Sequence, residues 1–60
     1  MKEYYVIVSV YGGYWDKENN NFRGYLFATK FPDELTAKGY AYNEPCKQEP
    51  CYVIKVYDNT

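Results

Sequence analysis

Two cysteines, eight carboxylates and a single serine make up most of the conventional catalytic groups of this 60-residue chain, which contains no histidine. Nucleophilic catalysis needs an activated nucleophile and a base to orient it. Ser9 falls inside a strand-like run, and no imidazole exists to activate Cys46 or Cys51. The acids Glu3, Asp16, Glu18, Asp33, Glu34, Glu44, Glu49 and Asp58 fall at expected strand ends, in loops and at a helix start. Those are places for solvated or capping carboxylates rather than for the facing pair of acid–base catalysis. Cys46 and Cys51 are separated by four residues. Two thiols do not close a tetrahedral zinc site unless a second copy supplies two more. A disulfide between them stays open as an alternative to reduced thiols, because the compartment decides. Gly12-Gly13 reads as a strand terminator, not a phosphate-binding loop. The expectation is a chain without enzymatic activity, metal or cofactor.

The contact groups are as plentiful as the catalytic ones are scarce. Nine residues are tyrosine, which offers a large, rigid, half-polar surface at low entropy cost and is enriched where proteins bind one another. The net charge of −1 and a pI near 5.2 provide neither the basic field of a nucleic-acid module nor a polyanion. One stretch, Arg23-Gly24-Tyr25-Leu26-Phe27, resembles the RNP1 motif of RNA-recognition motifs, in which a basic residue and glycine precede aromatics that stack on bases. The resemblance implies a strand with Arg23, Tyr25 and Phe27 as nucleic-acid contacts. It covers about nine residues and departs from the motif at Leu26, Ala28 and Lys30.

These groups are positioned by a short series of elements. Residues 3–11 are rich in β-branched and aromatic types and are followed by glycines, which predicts a strand. Its two faces, Tyr4, Val6, Val8, Val10 and Tyr5, Ile7, Ser9, Tyr11, are both largely apolar and place it in the middle of a sheet. Residues 12–21 read as a long loop in which Tyr14 and Trp15 stand out among glycines and polar residues. Trp15 either caps the open end of a small core or contacts a partner. Residues 22–31 read as a second strand forming a hairpin with the first. Pro32-Asp33-Glu34 reads as a helix start, the helix either running on to residue 43 or stopping near Gly39 with residues 40–43 as coil, and Pro45 ending it in either case. Residues 44–51 read as a proline-stiffened loop and 51–57 as the last strand, with Tyr52, Ile54 and Val56 on one face and Val53, Lys55 and Tyr57 on the other.

The expected architecture is a single α+β domain over 1–60, ββαβ, with a three-stranded, mainly antiparallel sheet in the order 2-1-3. A right-handed crossover carries one short helix over one face. The other face keeps an apolar surface that a homodimer would bury. A chain this small hides only about 60% of its unfolded surface and gains from such a staple. No apolar run approaches the ~20 residues of a membrane span, and the N-terminal residues run straight into a strand. The expected location is therefore the cytoplasm. The lysine and asparagine bias with high tyrosine, at this size, resembles phage accessory proteins, including inhibitors of bacterial defence. That resemblance is one of composition and size only. It implies a small protein that binds and blocks a host bacterial protein. The aromatic residues in and beside the first loop, Tyr11, Tyr14 and Trp15, are the expected partner contacts, with Tyr40 and Tyr42 behind them. The alternative is a single-stranded nucleic-acid binder using the strand aromatics.

Overall fold

Three runs fold as their patterns dictate. In the computed structural model, which describes residues 2–58, β1 spans Lys2–Ser9, α1 spans Glu34–Asn43 and the last strand spans Cys51–Asp58. Asp33 caps α1 by accepting a hydrogen bond from the Thr36 N–H at 2.8 Å. That bond satisfies one of the otherwise orphaned N–H groups at a helix start. Gly39 is accommodated inside α1, and the Asn43 side-chain amide donates to its carbonyl at 3.1 Å.

The rest of the chain departs from the sequence reading. The expected loop at 12–21 is a hairpin: β2, Tyr14–Asp16, pairs antiparallel with β3, Asn21–Arg23. Gly12 and Gly13 both adopt positive φ in the preceding turn, and a side chain at Gly13 would press on Phe22 Cβ at 3.3 Å. Asp16 builds the β2–β3 turn. Its carboxylate accepts from the Glu18 N–H at 3.0 Å, the Asn19 Nδ2 at 2.7 Å and Arg23 Nη1 at 3.3 Å. Asn20 completes the turn in the left-handed region, which asparagine tolerates better than most residues.

The expected second strand over 22–31 does not form. The sheet is left at Gly24, and Tyr25–Phe27 make one turn of 3-10 helix. Residues 29–31 then fit between β1 and β2 where those strands splay. Thr29 N–H donates to Trp15 O at 2.9 Å, and Tyr5 and Phe31 exchange a pair of backbone bonds. Aromatic content reads as strand propensity from sequence, yet here it serves packing. In the expected loop at 44–51, Pro45 does not simply end a helix; it opens a one-turn α2, Pro45–Gln48. The last strand is therefore β4.

The sheet has four strands in the order β3-β2-β1-β4, not three in the order 2-1-3. β1 is interior, as its two apolar faces require. β4 returns antiparallel to β1 through eight paired positions, from Lys2 opposite Asp58 to Ser9 opposite Cys51. The α1–α2 connection carries the chain from β3, on one flank of the sheet, to β4 on the other, so the last strand lies beside β1 as expected.

The core lies between α1 and the face of β1 that carries Ile7. Ile7, Trp15, Phe31, Ala37 and Ala41 are buried together, with Tyr5, Phe22, Tyr40 and Val53 packed around them. Trp15 is 0% exposed and stands edge-on to Phe22 with ring centres 5.0 Å apart. Its indole N–H has no hydrogen-bond partner among the described residues, so volume rather than polarity holds it there. Trp15→Ala is expected to cost about 3–5 kcal/mol, against about 3–9 kcal/mol for a whole domain of this length. Urea unfolding should therefore show a largely unfolded variant, with Trp15→Phe milder because it discards an unpaired N–H.

The Asn19 side-chain amide, followed by the Asn19 and Glu18 N–H groups and Arg23, holds the Asp16 carboxyl below its ordinary value of 3.8. A carboxyl depressed in the folded state contributes stability above its unfolded value and loses it as pH falls through the folded value. Asp16→Asn should lower stability at neutral pH and flatten its decline below about pH 5, as read from urea midpoints across pH.

Candidate functional site

The five sequence-derived contact residues do not form one patch. Tyr11 projects from the β1–β2 turn at 76% exposure, its N–H held by Ser9 Oγ at 3.0 Å. Tyr14 is half-buried on the sheet and stands edge-on to Tyr25 with centroids 5.1 Å apart. Trp15 belongs to the core and offers a partner nothing. Tyr40 is half-buried against Phe31, with Lys17 Nζ 5.6 Å above its ring. Tyr42 is 85% exposed.

The RNP1-like residues stay at the surface, with Tyr25 42% and Phe27 50% exposed. Tyr25 and Phe27 sit on the 3-10 turn rather than on a strand, where base-stacking aromatics of that motif would lie. The Arg23 guanidinium lies 3.9 Å from the Phe27 ring centre and 3.3 Å from Asp16 Oδ2. Its charge is thus already engaged by a carboxylate and a ring.

A continuous surface does form around β4. On the side of the sheet away from α1, the cross-strand pairs are Tyr4–Val56, Val6–Ile54 and Val8–Tyr52, with Tyr14 opposite Val8 on the other flank. Val6 and Val8 are buried there, whereas Ile54 and Val56 are half-exposed and Tyr52 is 50% exposed. Apolar cover on this face therefore thins toward β4. Lys30 Nζ and Asp58 Oδ2, 2.8 Å apart, close one end of it. On the α1 side of β4, a groove of about 520 Å³ is lined by Ala41, Tyr42, Cys46, Cys51, Tyr52 and Val53.

The edge of β4 joins these two surfaces. Tyr5 and Ser9 turn their backbone groups toward the β2 side of β1, to Phe31 and Gly13. Antiparallel alternation then directs the even residues of β1 to β4 and leaves the odd residues of β4 with outward N–H and C=O groups. Cys51, Val53, Lys55 and Tyr57 thus present a row of backbone donors and acceptors, and no strand pairs with that edge among the described residues. Sequence reasoning named Tyr52, Ile54 and Val56 as one face but did not single them out. Their alternation with Val53 was the available signal.

At the head of β4 the two thiols meet, with Sγ atoms 2.7 Å apart. Burial, reinforced by the Cys46 thiol and by Glu49, pushes the Cys51 thiol up to about 12. Among the described residues, no group of three or more metal-binding side chains occurs, and no helix is long and apolar enough to cross a membrane. Comparison with protein-family models, curated proteins and solved structures finds no match, so geometry alone carries the functional reading.

Cys46 is exposed and Cys51 is half-buried. Limited alkylation of the reduced protein near neutral pH should modify Cys46 first, with Cys51 following only at alkaline pH or in denaturant. Peptide mapping of the time course checks this.

Proposed function

We propose that this chain is a non-catalytic protein-binding module that works as a two-fold homodimer and blocks a bacterial protein stoichiometrically. The observation that carries the reading is the placement of tyrosine: none of the nine is buried, and each stands exposed or half-buried on the surface. Trp15 and Phe31 fill the core while all nine tyrosines stay at its margin or outside it, which is the distribution expected of contact residues.

The β4 edge supports the dimer. An eight-residue edge strand without proline is a template for another strand. Antiparallel pairing of two copies about an axis at Ile54 sets Val53 opposite Lys55 and Cys51 opposite Tyr57. Those are the residues whose backbone groups face outward. The same register continues Tyr52, Ile54 and Val56 of one copy into Val56, Ile54 and Tyr52 of the other. An eight-stranded sheet results, and its apolar stripe is shared.

Tyr11 and Tyr42, the two most exposed tyrosines, are the contacts we assign to the blocked protein, with Tyr14 and Tyr40 behind them. Size and composition support a phage or mobile-element source and a host-cytoplasm location, with steric occlusion as the mechanism.

Lys55 is exposed and its N–H faces outward, so proline there removes a donor from the free edge without touching the β1 ladder. Lys55→Pro is expected to give a folded monomer in sedimentation equilibrium where the unaltered chain is a dimer. A monomeric unaltered chain would overturn the dimer. Affinity capture from a nuclease-treated bacterial lysate should retain one protein in fixed ratio, and Tyr42→Ala should weaken capture at least tenfold. Capture that vanishes with nuclease would transfer the reading to single-stranded nucleic acid.

A further inference from the structure

The two cysteines are held together by backbone structure, not by chance in a loop. Cys46 lies in α2, whose Pro45 is buried and whose last turn is closed by the Glu49 N–H bond to Pro45 O at 3.3 Å. Cys51 opens β4 opposite Ser9, and the preceding Pro50 O accepts the Val10 N–H at 3.0 Å. Residues 47–50 therefore join two anchored ends, and the Sγ atoms face each other at 2.7 Å. Sulfur atoms so placed need only a small shift to bond, and a disulfide demands that its two cysteines already face one another closely.

We propose that Cys46 and Cys51 form a dithiol site that closes to an intramolecular disulfide by exchange with a low-molecular-weight disulfide of the glutathione class. Cys46, the exposed sulfur, reacts first. Its thiol gives a proton to solvent, and the thiolate attacks one sulfur of the reagent. The reagent S–S bond breaks, and the released thiolate takes up a proton, leaving a mixed disulfide on Cys46. The Cys51 thiol then loses its proton and attacks Cys46 Sγ, expelling the second reagent thiol. In sum the protein gives up two protons and two electrons, and one reagent disulfide becomes two thiols.

Burial keeps the Cys51 proton on and makes this sulfur the second to react. Capping Cys46 removes the neighbouring thiol that helps hold that proton. Closure ties α2 to the first residue of β4, supplying the covalent staple that small domains use in place of a larger core. It also fixes one wall of the groove between Tyr42 and Tyr52.

The test is equilibration of the folded protein in glutathione buffers of increasing oxidised fraction, followed by acid quench, intact mass and peptide mapping. The expected product is monomeric by covalent mass, two hydrogens lighter, linked Cys46 to Cys51 and reopened by dithiothreitol. Cys51→Ser should instead trap one glutathione on Cys46. The folded chain should close at an oxidised fraction roughly tenfold or more lower than the urea-unfolded chain, because the fold pre-positions the sulfurs. Persistence of the dithiol in fully oxidised buffer would overturn the proposal. So would accumulation of glutathione adducts or intermolecular disulfides in the unaltered chain, or closure no easier when folded than when unfolded.

Discussion

Ala37 and Ala41, one turn apart on α1, are the only buried residues of that helix, and the rest of the fold follows from their size. With two methyl groups as its inner surface, α1 comes down close to the sheet but brings little volume. The volume must come from elsewhere. Ile7 supplies part of it from β1, Trp15 part from β2, and Phe31 the rest. Phe31 reaches the core because residues 29–31 insert between β1 and β2, Thr29 N–H donating to Trp15 O and Phe31 exchanging a pair of bonds with Tyr5. The short hairpin, the 3-10 turn and the splayed strands are thus consequences of filling a core that the helix leaves nearly empty.

The same economy sets the surface. One helix covers one face of a sheet, and the described chain has no further long helix for the other. Tyr14, opposite Val8 and edge-on to Tyr25, lies on that second face, where Val6 and Val8 are buried, and the cover runs out at Ile54, Val56 and Tyr52. Tyrosine suits this condition. Its ring lies against apolar neighbours while its hydroxyl stays in water, so a half-covered site is not a site of exposed hydrocarbon. The β4 edge, left with outward backbone groups, adds directional bonding to the same region.

Charge has a local, structural role throughout. Asp16 organises a turn and pins Arg23, which in turn lies over Phe27. Lys30 pairs with Asp58 across the chain, and Lys55 with Glu3 across the sheet at 3.5 Å. Such exposed pairs contribute little stability individually, and their value here is orientational. They leave a surface nearly balanced in sign, with seven basic and eight acidic side chains.

Much of the scaffold was legible in the sequence, because it rests on local composition. β1 and β4 are runs of β-branched and aromatic residues, and α1 shows an acidic start behind a proline, so their existence follows from local chemistry. The interior position of β1 follows from its two apolar faces. The hairpin at Tyr14–Arg23 was not legible, since strands of three residues carry too little pattern to outweigh glycines and a polar run. The stretch 22–31 misled for the opposite reason: aromatic residues favour strands, but Gly24 releases the chain and Tyr25, Phe27 and Phe31 are used for packing. Trp15 illustrates the division most directly. Composition marked it as exceptional, yet only the volume left unfilled beneath Ala37 and Ala41 decided that it is core. The local sequence determined the elements because backbone propensity and patterning act over a few residues. Tertiary structure decided which tyrosines meet, which edge stays unpaired and which thiols touch, because those depend on how distant segments share one small core.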